Sequence, residues 1–389
     1  MHGQHPEERV AEAACGYWHR RGLPTEPDQV LVAPGAPLLL LSLLAATGGG
    51  RDVLLPRPCA DWYGPQARLL GSPVHRVPVP AECGGVPDPF ALLETVHRAR
   101  AAGGAPGVLV LSVADEPTGT AVPPELLHEV CEAAAGEHLL LVSDESWRDT
   151  SHRLHDTITV SPAEMLHTAT GDTDCVVVLL RLDAALLAPD LPVGIARLPA
   201  AGQGRTLAGT ARAALEALNA RLPEVAARAA TEALGEPASL RERAARVARE
   251  HGRRAAVVQR AVTAAGGLCR PPHLSRSLYL DLEPLRPVLA ARGIGDSATL
   301  EAALVLRLGA AARGGHRFGD DPGALRAALS TEARHPAAAE VDGTVPSGRP
   351  GSDDPSGAQQ AAALTDLLAP GAGEAAHGFA GDAGSGAGV

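Results

Sequence analysis

Two stretches in the middle of the chain decide its fold: Leu109-Val-Leu-Ser-Val-Ala-Asp-Glu-Pro-Thr-Gly119 and Leu139-Leu-Leu-Val-Ser-Asp-Glu145. Each is a short run of Val and Leu that ends in acidic and turn-forming residues, a pattern typical of strands buried on both faces. A helical pattern over residues 123–135 lies between them. A strand, a helix and a second strand in this order predict a βα unit with two parallel strands.

Further apolar runs extend this prediction to a whole sheet. They lie at residues 30–33, 52–55, 175–180 and 193–198, and each is bounded by Gly, Pro or Asp. A helical pattern at 37–46 follows the first of them. The fold class is therefore predicted to be α/β, with a mainly parallel sheet covered by helices on both faces.

The second half of the chain has a different pattern. Residues 209–265 are rich in Ala, Arg, Glu and Leu, with apolar residues three and four apart and a break at Gly235-Glu236-Pro237, which predicts long helices. A smaller α+β unit is predicted from the runs at 277–282, 287–291 and 304–308. After about residue 333 Gly, Ala, Pro, Ser and Asp dominate, so we expect a disordered tail in which Leu364, Leu367 and Leu368 form at most a transient helix face.

These patterns predict four parts of the chain. They are a short N-terminal helical segment (1–29), a large domain (30–208), interdomain helices with a small C-terminal domain (209–332), and the disordered tail (333–389).

Composition and charge exclude several classes of function. The net charge of −11 disfavours a nucleic-acid partner, because a surface for phosphate backbones is basic. The longest apolar run, residues 38–46, is far shorter than the roughly 20 residues that cross a bilayer, and the first ten residues lack the layout of a signal peptide. We therefore expect a cytoplasmic protein without a membrane partner.

The chain contains no lysine, so all 34 of its Lys and Arg residues are arginines. This composition excludes a lysine Schiff base, a phosphate-loop lysine and a Ser-x-x-Lys nucleophile pair, because each mechanism requires that amine.

Several further segments occur in a characteristic order around the two central stretches. They are Gln29-Val-Leu-Val-Ala-Pro-Gly-Ala36, Arg51-Asp-Val-Leu-Leu-Pro56, Ala188-Pro-Asp-Leu-Pro-Val-Gly194 and Val305-Leu-Arg-Leu-Gly309. Together the ordered set resembles the class I/II aminotransferase family, of the pyridoxal-phosphate fold type I superfamily, over about residues 10–330. The resemblance implies a large domain with a mainly parallel sheet, a smaller C-terminal α+β domain, a pyridoxal phosphate cofactor, and an amino acid or keto acid as the small-molecule partner.

The resemblance also assigns roles to individual residues. Asp144 matches the acid beside the pyridine nitrogen, which keeps the ring protonated as an electron sink. Arg307, on what would be a strand, matches the arginine that grips the substrate carboxylate. The remaining cofactor-binding positions are the phosphate turn, Gly35 and Ala36, the position of a ring-bonding asparagine, Glu116, and the position of a tyrosine, Trp147. From the residues alone, Asp144 is also explained as a turn residue or a helix N-cap.

Other positions depart from the family pattern. The lysine position falls on Ala184, next to Asp183, so no catalytic residue is assigned and the site looks degenerate. A phosphate-binding arginine corresponds to Pro192, the phosphate turn contains Pro37, and Cys59 stands where a stacking aromatic residue is expected. Cofactor binding is therefore in question at several positions at once.

Two other arrangements of polar residues deserve notice. His152 and His155 are three residues apart, but no third ligand accompanies them, so a solvated loop is favoured and no metal site is predicted. Glu116, Asp144 and Asp183 would form a carboxylate cluster if the family geometry holds.

Three hypotheses for the function remain open. The first is a non-catalytic binding or partner subunit, as a homodimer or as a heterodimer with an intact homologue. The second is a specialised enzyme of amino-acid or secondary metabolism that uses pyridoxal or pyridoxamine phosphate noncovalently. The third is a decaying gene, or a piece of a longer regulator that carries a winged-helix domain, since the arm that usually precedes the resemblance is short here.

Overall fold

The computed structural model of the chain describes residues 5–80, 85–153, 157–170, 175–332 and 356–369. The strands of a large sheet are β1 (Val30–Ala33), β2 (Asp52–Arg57), β3 (Val74–Pro78), β4 (Pro106–Ser112), β5 (Leu140–Asp144), β6 (Val176–Arg181) and β7 (Gly194–Arg197). Those of a small sheet are β8 (Leu268–Cys269), β9 (Ser277–Asp281), β10 (Ala312–Gly314) and β11 (Arg326–Ser330). The helices are α1 (Pro6–His19), α2 (Ala36–Ala46), α3 (Tyr63–Leu69), α4 (Pro89–Ala101), α5 (Pro124–Gly136), α6 (Pro162–Thr170), α7 (Gln203–Ala217), α8 (Glu224–Leu234), α9 (Ala238–Ala264), α10 (Arg286–Ala290), α11 (Ser297–Leu308) and α12 (Ser356–Leu368).

The large sheet has seven strands in the order β1-β7-β6-β5-β4-β2-β3. Strands β3, β2, β4, β5 and β6 are mutually parallel, and β7 runs antiparallel to both of its neighbours. The prediction of an α/β fold with a mainly parallel sheet is confirmed. Because all the parallel strands end at the same edge, the residues that follow them lie close together.

Helices cover both faces of this sheet. Alternate residues of β4 point to opposite faces: Val108 lies in the core formed with α2 and α7, and Leu109 in the core formed with α4, α5 and α8. Burial on both faces explains why these strands are continuous apolar runs rather than alternating ones.

The small sheet has four antiparallel strands in the order β10-β11-β9-β8. The long helix α9 packs against it through Val258 and Val262, which are fully buried with Leu278 and Leu280 of β9. The predicted smaller α+β unit is therefore present. The predicted domain boundaries at residues 29, 208 and 332 stay predictions.

Two local predictions are wrong, one for a strand of the small domain and one for the tail. The segment Val305-Leu-Arg-Leu-Gly309 was expected to be a strand, but it is the end of α11. Asp296 begins this helix by accepting a hydrogen bond from the Thr299 amide, 2.8 Å away. Leu300 and Leu304, four residues apart, bury one face of it.

The tail also departs from the prediction where it is described. Residues 356–369 were expected to be disordered, but they contain α12, whose Leu364, Leu367 and Leu368 are each 1% exposed in the core of the small domain. The rest of the predicted tail, residues 333–355 and 370–389, lies outside the described residues. Within the described ranges, none of the helices is long and apolar enough to span a membrane.

Candidate functional site

The carboxyl ends of β4, β5 and β6 meet at one edge of the large sheet. Ser112 at the end of β4 lies opposite Asp144 at the end of β5, and Asp144 lies opposite Leu179 of β6. Glu116 and Asp183 follow β4 and β6 by a few residues and reach the same edge. The structure therefore brings together the carboxylates that the sequence grouped as a possible cluster.

Asp144 is buried, with 2% of its surface exposed. Its Oδ2 accepts a hydrogen bond of 2.6 Å from the Tyr63 hydroxyl, and its Oδ1 accepts one of 2.9 Å from the Ser146 amide and another from the Ser146 hydroxyl. Burial raises the pKa of Tyr63 well above its ordinary value, and the nearby Asp144 carboxylate adds to the shift. Tyr63 is therefore a neutral donor to Asp144, and both carboxyl oxygens of Asp144 already have protein partners.

Replacing Tyr63 with Phe is expected to lower the free energy of unfolding by about 1–3 kcal/mol, because a buried carboxyl oxygen loses its donor. Urea unfolding of the two proteins measures this difference. A matched control is Tyr17→Phe, since the Tyr17 hydroxyl also donates to a carboxylate, Asp149, but that carboxylate is partly exposed and keeps Arg21 as a partner. Equal losses in the two variants would contradict the importance assigned to the Tyr63–Asp144 bond.

Arg181, at the end of β6, is the cation of this cluster, and sequence reasoning missed it. Its Nη2 lies 2.9 Å from Oδ2 of Asp183, and its backbone amide donates to the Ser146 hydroxyl. Burial raises the pKa of the Glu116 carboxyl, while the Arg181 guanidinium opposes that shift. The sequence pattern that could have identified Arg181 is a single charged residue at the carboxyl end of an otherwise apolar strand.

The cluster carries more negative than positive side chains. Glu116, Asp144 and Asp183 share one guanidinium, that of Arg181. Oδ1 of Asp183 is buried and has no hydrogen-bond partner among the residues that the structure describes. An additional anion at this place would therefore be repelled by carboxylates that are only partly compensated.

Trp147 lies close to Glu116 of the carboxylate cluster. It is 7% exposed, and the Arg276 guanidinium carbon is 5.6 Å from its ring centroid. Because an indole nitrogen only donates hydrogen bonds, Trp147 cannot accept or relay a phenolic proton.

The turn between β1 and α2 carries the predicted phosphate-binding residues. Gly35 has φ of 101°, a conformation that favours glycine, and its amide already donates to the Ala33 carbonyl at 2.7 Å. Pro37 has no amide hydrogen, which leaves the amide of Ala36 among these three residues. A Cβ on Gly194 would lie 2.5 Å from the Ala36 nitrogen, so β7 packs directly against this turn.

Arg307 is not part of the site. It is exposed on the last turn of α11, where its Nη1 donates to the Ala303 carbonyl at 3.1 Å and its Nε is 3.9 Å from Asp366 of α12. The assignment of Arg307 to a substrate carboxylate rested on a strand that is a helix in the structure, and the geometry gives it no support.

A different arginine of the small sheet faces the large domain. Arg326 begins β11 and is held by Asp281 at 3.0 Å and by Asp320 at 3.1 Å. It lines a cavity of about 260 Å³ whose other side contains Thr118 and Thr120, from the turn that also holds Glu116. The sequence signal was Arg-Ala-Ala-Leu-Ser after a glycine-containing turn, which reads as a short strand.

The described residues contain no group of three or more His, Cys, Asp or Glu side chains that could hold a metal ion. The ring nitrogens of His152 lie 3.3 Å from the Pro272 carbonyl and 3.0 Å from the Ser275 carbonyl. His155 lies outside the described residues.

The comparison with models of protein families identifies the family of this chain. The model of the family "Aminotransferase class I and II" matches residues 4–334 of the chain. The chain belongs to the class I and II aminotransferase family. Members of this family normally use pyridoxal phosphate.

Curated relatives match over shorter segments. A valine–pyruvate aminotransferase of Mycobacterium tuberculosis is 33% identical over 141 residues, which are 36% of this chain and 34% of the relative. A probable aspartate/prephenate aminotransferase of Thermus aquaticus is 31% identical over 168 residues, 42% of this chain and 41% of the relative. These matches thus span about a third to two fifths of the relatives' length.

Solved structures agree in fold over nearly the whole chain. A tetra mutant of Thermus thermophilus aspartate aminotransferase superposes with a TM-score of 0.73 and 20% identity, covering 93% of this chain and 87% of that one. The aspartate aminotransferase of Rhizobium meliloti gives a TM-score of 0.73 at 16% identity, covering 93% and 82%. The predicted fold type I architecture is confirmed.

The residues at the strand ends do not fit a covalently held pyridoxal phosphate. The family resemblance places lysine at Ala184, a buried methyl group, and the chain has no other lysine to supply an amine. Pro192 offers no donor to a phosphate group and lies beside the turn at Gly35. Glu116 and Asp183 add negative charge close to Asp144, so we derive no reaction step through this cofactor.

Proposed function

We propose that this protein is a class I/II aminotransferase-family member that has lost Schiff-base transamination and acts as a non-catalytic binding or partner subunit. The observation that carries the proposal is the arrangement after β6. Ala184 stands at the position of the reactive amine, and Arg181 and Asp183 form an ion pair beside it. A methyl group cannot supply the nucleophile that the chemistry of the family requires, and Asp183 places a negative charge beside Arg181 where a phosphate group would need donors.

The proposed partner is a second subunit of the same fold, either another copy of this chain or an intact homologue. The family fold over residues 4–334 supports this proposal, because it preserves the scaffold while the chemistry of one site has changed. A small amino acid or keto acid remains a possible ligand of the cleft lined by Arg326 and Thr118.

The test is a titration of the full chain with pyridoxal phosphate and, separately, with pyridoxamine phosphate, followed by calorimetry and visible absorbance. We expect no saturation below about 1 mM, because each missing charged contact to the cofactor is worth about 1.5–3 kcal/mol and the covalent link is absent. No absorbance band of a Schiff base is expected, with or without a mixture of amino acids.

The control is the double variant Asp183→Ser/Ala184→Lys, which restores the residues that the family resemblance implies. A Schiff-base band in this variant alone would locate the loss of chemistry at these two positions. Micromolar binding of either cofactor by the unaltered chain would overturn the proposal. It would favour the alternative, an enzyme that uses the cofactor noncovalently beside Asp144.

A further inference from the structure

A second cavity, of about 260 Å³, lies behind the segment that follows β6. One wall is formed by residues 184–189 of the large domain, and the opposite wall by α9. Thr150, Ser275 and Arg276 close its inner end. The cavity thus lies between the large domain and the long helix that supports the small sheet, and no residue of the carboxylate cluster lines it.

The charged groups that line this cavity are mainly basic. Nη2 of Arg276 donates to the Ala184 carbonyl at 2.8 Å, and its Nη1 is paired with Glu332, which is not one of the lining residues. Arg243 donates to the Leu186 carbonyl at 3.2 Å and has no carboxylate partner within the described part of the chain. Both guanidinium groups keep further N–H donors for a ligand.

Asp149 is the one carboxylate among the described lining residues. Its Oδ2 already accepts a hydrogen bond of 2.9 Å from the Tyr17 hydroxyl and lies 3.1 Å from Nη2 of Arg21. Tyr17 and Arg21 lie outside the cavity lining. Tyr17 and Arg21 therefore compensate the negative charge of Asp149 from outside the cavity. The surface of the cavity carries a net positive charge.

His251 supplies a directed polar atom. It is 8% exposed, and its Nδ1 lies 2.8 Å from Oγ1 of Thr331. The Thr331 hydroxyl also lies 3.2 Å from the Arg276 carbonyl, and when it donates its single hydrogen there, the Nδ1–H of His251 is the donor of the first bond. Nε2 then carries the lone pair, and it has no partner among the described residues.

From this geometry we propose that the cavity is a binding site for a small anion that carries a carboxylate or phosphate group. The anion contacts the guanidinium groups of Arg276 and Arg243, which suit carboxylate and phosphate groups. The Ser275 hydroxyl accepts a hydrogen bond from the Ser277 amide and keeps its own hydrogen for the ligand. A hydroxyl or acid proton of the ligand is donated to Nε2 of His251. The site is separate from the turn at Gly35, so it does not depend on the proposed function.

Binding is coupled to a proton on His251. Burial, together with the positive charges of Arg276 and Arg254, lowers the pKa of His251 to about 4, while the Glu332 carboxylate opposes this shift. His152 also faces it and has a small lowering effect. A bound anion raises this pKa, because it stabilises the imidazolium form. For an anion whose own charge stays the same, affinity therefore increases as the pH falls through this raised pKa toward about 4.

The test is calorimetric titration of the full chain with inorganic phosphate and with succinate, at pH 5.5 and pH 7.5, in buffers of different ionisation enthalpy. We expect saturable binding of at least one of the two anions, and the better one identifies the group that the site prefers. Binding at pH 5.5 is accompanied by proton uptake. Arg243→Gln is expected to weaken it by roughly tenfold or more, the effect of one charged hydrogen bond.

Two further variants make the result specific. Arg246→Gln removes the same charge from an exposed position of α9 that does not line the cavity, and it should leave the affinity within about twofold. His251→Asn keeps a donor toward Thr331 but removes Nε2, so it should abolish the proton uptake. The proposal is overturned if neither anion binds, if Arg243→Gln and Arg246→Gln weaken binding equally, or if His251→Asn leaves the uptake unchanged.

Discussion

Replacing Asp115 with Asn is expected to stabilise the protein above pH 7, by up to about 4 kcal/mol. Asp115 is 2% exposed, and burial raises the pKa of its carboxyl from 3.8 to about 7. The negative charge of Glu116 adds to this shift, and hydrogen bonds from the hydroxyl and amide of Thr118 oppose it. No Arg or His side chain of the described residues forms an ion pair with Asp115.

The sign follows from the protons that each state binds. Between pH 3.8 and about 7 the folded protein keeps a proton on Asp115 that the unfolded chain releases, so the free energy of unfolding falls as the pH rises. Above pH 7 the ionised, buried carboxyl lowers the free energy of unfolding by its full amount. This amount is about 1.36 kcal/mol for each pH unit between the pKa of the unfolded chain and that of the folded protein. Asn is neutral throughout. The advantage of the variant should therefore be near zero at pH 4 and largest at pH 8, as measured by urea unfolding.

Asp320→Asn is the matched control. Asp320 is 5% exposed, like Asp115, but it accepts a hydrogen bond from Tyr279 and lies 3.1 Å from Nη1 of Arg326. Removing its charge leaves Arg326 with one carboxylate fewer, and we expect a loss of about 1–3 kcal/mol at pH 8. If Asp115→Asn were as destabilising as Asp320→Asn at that pH, the unpaired carboxylate would not be the costly group that its surroundings indicate.

The contacts of Asp115 explain why the fold contains a carboxyl that lowers its free energy of unfolding at high pH. Its carboxyl orders the turn that presents Glu116 to the carboxylate cluster, since Oδ2 accepts hydrogen bonds from the amide, at 3.2 Å, and the hydroxyl of Thr118. The same turn is hydrogen-bonded to the segment that leads into the small sheet, because the amide of His273 donates to the Gly119 carbonyl at 2.7 Å. A buried carboxyl with two bonds to Thr118 of this turn thus links the cluster to the domain that carries Arg326.

The large sheet was predictable because its strands are buried on both faces. Continuous apolar runs such as Pro106–Ser112 and Leu140–Asp144 have no other stable place in a soluble fold when helical segments alternate with them. Asp144 and Glu116 were assigned from the family resemblance, and the structure places both at one edge of the sheet because they follow parallel strands. Local pattern and global fold agree at these positions.

The arginine of the small sheet, Arg326, could not be predicted in the same way. A five-residue segment such as Val305-Leu-Arg-Leu-Gly309 suits a strand or the end of a helix equally well, and only the N-cap at Asp296 settles the choice. The contacts of the site were also hidden. Tyr63 donates to Asp144 across 81 residues of sequence, and such a contact depends on how α3 packs over the sheet.

Replacing Leu367 with Ala is expected to lower the free energy of unfolding by about 2–5 kcal/mol. Leu367 is 1% exposed on α12, in the same core as Val258 and Val262 of α9. The surrounding sequence is rich in Gly, Ala and Pro, so composition alone predicted no docking for this helix. The measurement is urea unfolding of the full chain, with the pH held at 7.5 so that no buried carboxyl titrates differently between variants.

The control is Leu306→Ala, the same substitution at a leucine of α11 that is 85% exposed, and it should change stability by no more than about 0.5 kcal/mol. Equal effects of the two substitutions would mean that α12 does not dock. A selective loss at Leu367 would instead show that the helix completes the core beneath β9 and β11. The strand that carries Arg326 would then depend on a segment more than thirty residues downstream, so changes in that segment would act on the cleft without touching it.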